Sequence, residues 1–339
     1  MRSTLSRTLP LRSPLNKTSL NSWTRIRSPI SISIQAARPF ASGPDSSKPA
    51  NPHADKNHIQ ARRPDLTTTE TANGRQPHRF REFDLQDRVY VITGGGRGLG
   101  LAMAEALLEA GARVYCLDRL TTPHPDYELA REHAEKHYGG SLHYHRIDVR
   151  DPVETNAIFA KIASNHGRLD GLIAAAGINY LEPALSHSLE KLHEVMDINY
   201  NGVFHSATAA ARQMFNYQQK GSILLVASMS GYIANKGMTS PVYNSSKAAV
   251  VQLGRNLAME WGRHGIRVNS LCPGHIVTPM VEEVFRKEPA AKGVWEAENM
   301  LGRLAAPEEF RGAALFALSD ASSFMTGSTM MIDGGHTAW

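Results

Sequence analysis

Short apolar runs alternate with amphipathic helical patterns from about residue 80 to the C-terminus. Seven of these runs have the length and residue types of strands: Arg88–Thr93, Arg113–Asp118, Leu142–Asp148, Gly171–Ala175, Ser222–Ser228, Arg267–Leu271 and Thr329–Asp333. Apolar runs separated by helices are typical of parallel strands that are buried on both faces. The pattern predicts an α/β fold, in which helices cover both faces of a doubly wound, parallel, seven-stranded sheet in a single domain.

Helix boundary signals support this prediction. Asp151 and Ser240 each precede a proline, and we expect both to be N-caps that accept from free backbone N–H groups. Gly111 is predicted to end the first helix, immediately before the second strand. Cys116 and Cys272 fall in predicted strands and lack metal or disulfide spacing, so we expect them to be small buried side chains.

The segment ahead of this domain has a different composition. Its first 44 residues contain seven basic side chains and no acidic one, and they include Arg38-Pro39-Phe40-Ala41-Ser42. A segment rich in arginine and serine predicts a mitochondrial transit peptide over residues 1–40, and a disordered basic tail is the alternative. The polar stretch that follows predicts a disordered linker over residues 41–80, and the folded domain is expected over residues 81–339. We therefore expect the mitochondrial matrix, with the cytoplasm as the alternative.

The charge of the chain excludes one class of partner. The net charge is +5, but the residues after the first 44 contain 30 basic and 32 acidic side chains. Because the positive excess is confined to the front segment, we expect no nucleic-acid partner for the domain. The sequence has no apolar run near the roughly 18 residues that cross a bilayer, so we expect no membrane partner.

A glycine-rich turn follows the first predicted strand, in the order Thr93-Gly94-Gly95-Gly96-Arg97-Gly98-Leu99-Gly100. Gly94, Gly98 and Gly100 allow a sharp turn and a close approach of backbone N–H groups to a pyrophosphate. Such a turn is weak evidence by itself. Its position between a strand and a helix, near the start of the domain, predicts the Rossmann type of dinucleotide site.

The second predicted strand ends at Asp118, 18 residues after Gly100. A carboxylate at this position can accept hydrogen bonds from the adenosine ribose and would repel a 2′-phosphate. Arg97 and Arg119 lie close in sequence and can pair with such a phosphate. The prediction is NAD as the cofactor, with NADP possible.

Tyr243 and Lys247 are four residues apart on a predicted helix, and therefore lie on one face of it. A phenol acts as a base near neutral pH only if its pKa falls by about 2–3, which requires a nearby cation. The Lys247 ammonium, together with an oxidised nicotinamide, is expected to supply that charge. With the glycine turn upstream, this pair predicts a nicotinamide-dependent carbonyl reductase or alcohol dehydrogenase.

From about residue 84 to the C-terminus the chain resembles the short-chain dehydrogenase/reductase family. The resemblance rests on Thr93-Gly94-x-x-x-Gly98-x-Gly100, on Asp148-Val149, on Asn199, on Tyr243-x-x-x-Lys247, and on Pro273-Gly274 with Thr278. The chain departs from the family where it has Ala174-Ala175-Ala176-Gly177, because an asparagine usually begins that motif. Since the residues remain small, the backbone can still lie beside a cofactor.

The resemblance implies a set of site residues. The implied catalytic residues are Asn199, Ser228, Tyr243 and Lys247. The implied cofactor-binding residues are Thr93, Gly94, Arg97, Gly98, Leu99, Gly100, Asp118, Asp148, Val149, Ala175, Gly177, Tyr243, Lys247, Pro273, Gly274 and Thr278. Ser230 competes with Ser228 for the serine role, and Ser228 is preferred because it forms the family's Ser-x-x-Gly pattern with Gly231.

The resemblance also implies a mechanism, written here in the oxidative direction. Ser228 holds the alcohol oxygen, Tyr243 removes its proton, and the hydride passes to the nicotinamide. Lys247 binds the nicotinamide ribose and, through a water held at Asn199, restores the proton balance. The reverse sequence reduces a ketone.

The segment from His275 to Arg303 is the natural substrate lid, and its mixture of polar and apolar residues permits a hydroxyl-rich ligand. Together with Ser-Met-Ser-Gly and the C-terminal Asp-Gly-Gly-His-Thr-Ala-Trp, it resembles fungal polyol dehydrogenases of the arabinitol, mannitol and sorbose type. The expected small-molecule substrate is therefore a sugar alcohol, such as D-arabinitol, or its ketose. The candidate substrate contacts are Ser228, Ser230, Asn179, Tyr180 and His275.

Two alternative functions remain: reduction of a 3-oxoacyl thioester on an acyl carrier, and non-catalytic NAD(H) binding. An acyl carrier would require a basic patch at the pocket entrance, and the lid instead contains the acidic pair Glu282-Glu283. The complete catalytic set makes a non-catalytic binding protein improbable. The histidines show no ligand spacing, so we expect no metal. A homo-oligomer, tetramer or dimer, is implied, with Phe204, Ala207, Ala210 and Met214 as either an interface or core.

Overall fold

The computed structural model describes residues 80–278, 281–282, 285–286 and 289–339. The predicted transit peptide, and the predicted linker up to residue 79, lie outside the described residues. Seven strands form one parallel sheet in the order β3-β2-β1-β4-β5-β6-β7. The strands are β1 Val89–Thr93, β2 Arg113–Asp118, β3 Ser141–Arg146, β4 Gly171–Ala174, β5 Gly221–Val226, β6 Ile266–Pro273 and β7 Thr329–Ile332.

Helices connect the strands and cover the sheet on both faces. Those of the described residues are α1 Gly98–Glu109, α2 Pro125–His137, α3 Pro152–His166, α4 Leu189–Met196, α5 Gly202–Asn216, α6 Pro241–Trp261, α7 Pro289–Ala297 and α8 Arg311–Leu318. A π-helical segment, Asp197–Asn201, joins α4 to α5. The predicted doubly wound, single-domain α/β fold is confirmed, and strand order changes direction between β1 and β4, where such folds bind ligands.

The core lies on both sides of the sheet because neighbouring residues of each strand point to opposite faces. In β1, Val89 and Val91 pack into one buried cluster with α3, α5 and α6, while Tyr90 and Ile92 pack into the other with α1 and α8. Both cysteines are free and buried, as predicted, with Cys272 in the first cluster and Cys116 in the second.

The predicted strands are all present, but three ends differ by two residues and six others by one. The predictions ran β3 to Asp148 and β5 to Ser228, whereas pairing stops at Arg146 and Val226. The prediction ended β6 at Leu271, whereas pairing with β7 extends it to Pro273. Hydrogen bonding to a neighbouring strand decides these ends, and a single strand's apolar pattern does not contain that information.

Helix caps follow the predictions in part. Asp151 caps α3, because its carboxylate accepts from the backbone N–H groups of Val153 and Glu154 at 2.8 and 3.0 Å. Gly111 has φ +92° and follows the end of α1. Ser240 precedes α6 as expected, but the predicted cap bond is absent there, because its hydroxyl bonds the Asn244 side chain instead.

The apolar face proposed on α5 belongs largely to the core. Ala207, Ala210 and Met214 are completely buried within the chain, whereas Phe204 is 41% exposed. Among the described residues, no helix is both long enough and apolar enough to span a membrane.

Candidate active site

A cleft opens at the carboxyl ends of β1, β2 and β4, where the glycine-rich turn passes from β1 into α1. Gly94 and Gly98 have φ values of +70° and +55°, which favour glycine. A side chain at Gly94 would lie 2.8 Å from the Ala176 backbone nitrogen, and one at Gly100 would lie 2.1 Å from the Gly94 carbonyl oxygen. A β-carbon at Gly98 would have no contacting atom within 4 Å, so the space beside the first turn of α1 is open.

Most of the predicted cofactor residues line this cleft, which contains about 1150 Å³ of empty space including its mouth. They are Gly94, Arg97, Gly98, Leu99, Gly100, Asp118, Asp148, Val149, Ala175, Gly177 and Thr278. Thr93, Pro273, Gly274, Tyr243 and Lys247 are not among its lining residues. Thr93 lies behind the wall, where its hydroxyl accepts from the Ala176 N–H at 3.4 Å. A helix N-terminus with open space for a pyrophosphate, and a carboxylate further along, fit a dinucleotide.

Asp118 stands at the end of β2, partly exposed to the cleft. Its carboxylate accepts from the backbone N–H groups of Gly96 at 3.1 Å and Leu120 at 3.2 Å, which fix its direction. Arg97 and Arg119 line the same cleft and are exposed. The cleft therefore contains both an acceptor for ribose hydroxyls and two cations of the kind that bind phosphate.

Asp148 and Val149 form the opposite wall, beyond the end of β3. Arg150 forms an ion pair with Asp148, and this hydrogen-bonded pairing holds the pKa of the Asp148 carboxyl below its usual value. Val149 is buried and packs against the first residue of α5, Gly202, where a β-carbon would come within 2.6 Å of it. The wall is thus rigid and combines an apolar side chain with a fixed negative charge.

Ser228 and Tyr243 meet beyond the end of β5. The Ser228 hydroxyl lies close enough to the phenol of Tyr243, at the start of α6, to lower the pKa of that phenol. Ser230 instead accepts a hydrogen bond from the Asn235 side chain at 2.7 Å, and its backbone N–H donates to the Ser228 hydroxyl at 3.1 Å. Of the two candidate serines, Ser228 is the one that the structure places against the tyrosine.

Lys247 is buried one helical turn after Tyr243, with its Nζ 5.7 Å from the centre of the phenol ring. The ammonium donates to the Val226 carbonyl at 2.9 Å, and burial lowers the pKa of Lys247 to about 8. Burial raises the pKa of Tyr243, and the neighbouring Ser228 hydroxyl opposes that rise only in part. The predicted lowering of the phenol pKa therefore needs the charge of an oxidised nicotinamide as well as that of Lys247, whose own charge the same burial disfavours.

Asn199 is completely buried in the π-helical segment. Its amide nitrogen donates to the Ile178 carbonyl at 2.9 Å and to the Ser246 hydroxyl at 3.1 Å, and its amide oxygen accepts from the Ile178 N–H at 2.9 Å. The side chain thus ties the backbone after β4 to helix α6. Ile178 and Ser246, which complete this link, were not predicted from the sequence because neither belongs to a motif.

The three loop residues proposed as substrate contacts differ in their surroundings. The Asn179 amide oxygen and the His275 Nε2 are buried and have no hydrogen-bond partner among the described residues. The Tyr180 hydroxyl already bonds both Glu194 at 3.0 Å and Lys191 at 2.8 Å. Asn179 and His275 therefore retain unused polar atoms, and Tyr180 does not.

His275 stacks on Trp295 of α7, with ring centres 4.5 Å apart and planes within 12° of parallel. The ring of His336 meets it edge-on at 5.3 Å. Sequence reasoning missed His336 as well as the nearby Glu298, because the three segments that carry these side chains are far apart in sequence.

The comparisons with known proteins agree with this geometry. A family profile described as enoyl-(acyl carrier protein) reductase matches residues 94–337. A short chain dehydrogenase/reductase of Aspergillus versicolor, notP', is 43% identical over 263 residues, which cover 76% of this chain and 89% of that protein. The chain belongs to the short-chain dehydrogenase/reductase family. It is an NAD(P)-dependent oxidoreductase that acts on alcohol groups, as predicted.

Other relatives carry more specific names. A D-arabinitol 2-dehydrogenase (ribulose-forming) of Scheffersomyces stipitis is 35% identical over 269 residues, covering 76% of this chain and 96% of that one. A solved gluconate 5-dehydrogenase of Burkholderia cenocepacia, in complex with NADP and tartrate, matches with a TM-score of 0.70 at 31% identity. That match covers 77% of this chain and 100% of the other.

Proposed function

We propose that this enzyme interconverts a sugar alcohol and its ketose, with D-arabinitol as the first candidate, and that it uses NAD. The observation that carries the proposal is the Ser228 hydroxyl beside the Tyr243 phenol beyond the sheet's carboxyl edge. Asn179 and His275 add buried polar atoms that have no partner among the described residues. Buried polar atoms without partners are costly, and the hydroxyls of a polyol would satisfy them. The relatedness to a D-arabinitol 2-dehydrogenase supports the same substrate class.

In this proposal the chain's own residues handle the proton. Ser228 donates to the substrate oxygen, Tyr243 accepts the hydroxyl proton during oxidation, and Lys247 provides positive charge beside the phenol. A bound nicotinamide supplies the hydride acceptor and, when oxidised, a further positive charge. Because burial raises the pKa of Tyr243, proton removal needs that second charge, and the tyrosine stays protonated in the protein alone.

The NAD preference is supported by Asp118, whose carboxylate is oriented by two backbone N–H groups at the cleft wall. Arg97 and Arg119 supply the features that would accommodate NADP. We also propose that residues 1–40 direct the protein to mitochondria, on the strength of their basic, acid-free composition, and that the enzyme is a homo-oligomer.

The test is an assay of the reduced nicotinamide's absorbance with purified enzyme. Pentitols and hexitols are screened with NAD and with NADP, and ketoses with the reduced cofactors. We expect turnover of a polyol with NAD that is lost in Tyr243→Phe. Tyr232→Phe is the matched control, since its hydroxyl bonds Thr329 away from the site. A screen without any polyol turnover would reject the substrate proposal.

A second candidate is reduction of a 3-oxoacyl thioester, because the matching family profile is named for an enoyl-(acyl carrier protein) reductase, which acts on thioesters of the same carrier although on a C=C bond. The same assay with acyl thioesters separates the two. Thioester reduction with inert polyols would favour this candidate, and tight NADH binding without any turnover would favour a binding protein.

A further inference from the structure

Three side chains with metal-binding groups meet beside the substrate lid. A nitrogen of His275, a nitrogen of His336 and a carboxylate oxygen of Glu298 lie within 4.8 Å of one another. His275 follows the end of β6, Glu298 follows the end of α7, and His336 lies in the turn after β7. None of these residues takes part in the Ser228, Tyr243 and Lys247 cluster described above.

Each of the two imidazoles has one nitrogen that is buried. The Nε2 of His275 and the Nδ1 of His336 are inaccessible to solvent and have no hydrogen-bond partner in the described part of the chain. His336 is only 8% exposed. A metal ion is one ligand that would satisfy histidine nitrogens near a carboxylate.

The backbone that holds these residues is firmly built. Asp333 accepts from the N–H groups of Gly335 at 3.0 Å and Thr337 at 2.9 Å, which shapes the turn that carries His336. The Asn299 side chain donates to the Asp333 carbonyl at 3.2 Å and so joins the residue after Glu298 to that turn. Trp295 stacks on His275 from α7. The cluster is therefore positioned by contacts that do not depend on a bound ion.

We propose that His275, Glu298 and His336 bind a zinc ion that fastens the lid helix α7 to the C-terminal turn. Two imidazoles and one carboxylate form a known zinc ligand set, which leaves a fourth position for water. Ligands about 2 Å from a tetrahedral zinc lie roughly 3.3 Å from each other, so the side chains close by at most about 1.5 Å on binding. The proposal shares His275 with the proposed function but goes beyond it, and its test reads metal binding, which requires neither the substrate nor the cofactor.

The large separation of these ligands along the chain explains why the sequence predicted no metal site. The ligands are 23 and 38 residues apart and come together only through the parallel order of β6 and β7. His275 directly follows the predicted cofactor residues Pro273 and Gly274. A zinc ion bound to it would therefore restrain the lid next to those residues, without contacting Tyr243. The expectation of a metal-free protein would then be wrong.

The experiment is a zinc titration of the full chain, purified without a histidine tag and stripped with a chelator. Calorimetry with Zn²⁺ is combined with Co²⁺ absorption spectra, which report coordination geometry. We expect one tight site per chain in the natural protein, weakened about 100-fold or more in Glu298→Gln and in His336→Gln. Zn²⁺ should also raise the Tm of the natural protein and not that of either variant.

His137→Gln is the matched control, because His133 and His137 form an exposed pair on α2 with ring centres 4.7 Å apart and can collect zinc adventitiously. We expect the tight site to survive this substitution. A site lost in His137→Gln but kept in Glu298→Gln would overturn the proposal. So would a natural protein without tight binding, in which case polyol hydroxyls become the partners of these nitrogens. If either variant is misfolded by circular dichroism, the other decides.

Discussion

Lys247 is buried, so its positive charge lowers the stability of the folded protein at the place where catalysis needs that charge. Its pKa of about 8 in the folded protein lies below the reference value of 10.5. A lysine whose pKa falls on folding binds fewer protons in the native state, so stability rises as the pH climbs from about 8 to about 10. Below pH 8 the net cost of the buried ammonium is fully present, at roughly 3 kcal/mol.

We therefore predict that Lys247→Met raises the free energy of unfolding by about 1–3 kcal/mol at pH 7 while abolishing turnover. The gain should shrink as the pH approaches 10. Urea denaturation at several pH values measures it, and Lys236→Met, which replaces an exposed lysine, is the control. Parallel stability curves for the variant and the natural protein between pH 7 and pH 10 would contradict the prediction.

The second prediction at the residue scale concerns Asp118 and the choice between NAD and NADP. Asp118→Ser removes the negative charge that would repel a 2′-phosphate, while Arg97 and Arg119 remain in the cleft. We expect the ratio of kcat/KM for NADP over NAD to rise by about 10-fold or more, since about 1.4 kcal/mol corresponds to that factor. Steady-state kinetics with both cofactors measure it.

Asp126→Ser is the control for Asp118→Ser, because it removes an exposed carboxylate from the first turn of α2 and changes the net charge equally. An unchanged cofactor ratio in Asp118→Ser, or an equal change in both variants, would show that Asp118 does not select the cofactor.

Motifs predicted where residues stand along their elements, and the roles of those residues stay predictions. The glycine turn follows β1, Asp118 ends β2, and Tyr243 and Lys247 lie in the first two turns of α6. The choice between Ser228 and Ser230 depended on the direction of two side chains after β5, and the Asn235 amide that turns Ser230 away has no sequence signature.

At the scale of elements, the π-helical segment Asp197–Asn201 positions Asn199, one of the predicted catalytic residues. A π-segment inserted between α4 and α5 rotates the chain locally, and such segments are frequent at functional sites. Here it turns the Asn199 side chain inward, where three hydrogen bonds join it to Ile178 and Ser246. The segment thereby connects the backbone after β4 to the helix that carries Tyr243.

Asn199→Ala should lower the free energy of unfolding by about 2–4 kcal/mol, because buried polar groups of Ile178 and Ser246 lose their partners. Turnover should fall with it, since α6 loses a positioning contact. Asn201→Ala is the matched control from the same segment: its side chain is exposed and bonds only Asp197 among the described residues, so we expect a change within about 0.5 kcal/mol. Equal urea midpoints for the two variants would refute this role.

Elements were predictable where local chemistry decides them. Asp151 caps α3 as its position before Pro152 indicated, since the cap bonds reach only two and three residues along the chain. The same pattern at Ser240 gave the correct helix start but the wrong bond, because Asn244 competes for the hydroxyl. The π-segment was not predicted, since five residues without a period leave no pattern to detect.

For the whole molecule, the apolar pattern predicted the parallel sheet, and the strand order placed the cleft at the expected switch point. Contacts between distant segments could not be predicted in this way, because His275, Glu298 and His336 come together only in the folded chain.

The α5 residues proposed for an interface have different surroundings in the fold. Ala207, Ala210 and Met214 face the chain's own core, and Phe204 alone of the four remains exposed.

That division makes the proposed oligomer testable. Phe204, on the helix α5 with the predicted interface residues, is 41% exposed, and Met259 on α6 is 71% exposed, so apolar surface remains on both helices. We predict that the natural protein has a mass two or four times the 37.2 kDa of the full chain. Phe204→Glu should shift it toward smaller species, since a buried charge at an interface is costly, while circular dichroism stays unchanged.

Light scattering after size exclusion measures these masses. Phe324→Glu is the control for Phe204→Glu, because Phe324 is fully exposed but lies outside both helices. Dissociation in the Phe324 variant alone would place the interface at the segment before β7, and a monomeric natural protein would refute the oligomer. Retained turnover in a dissociated Phe204 variant would show that the site described here is complete within one chain.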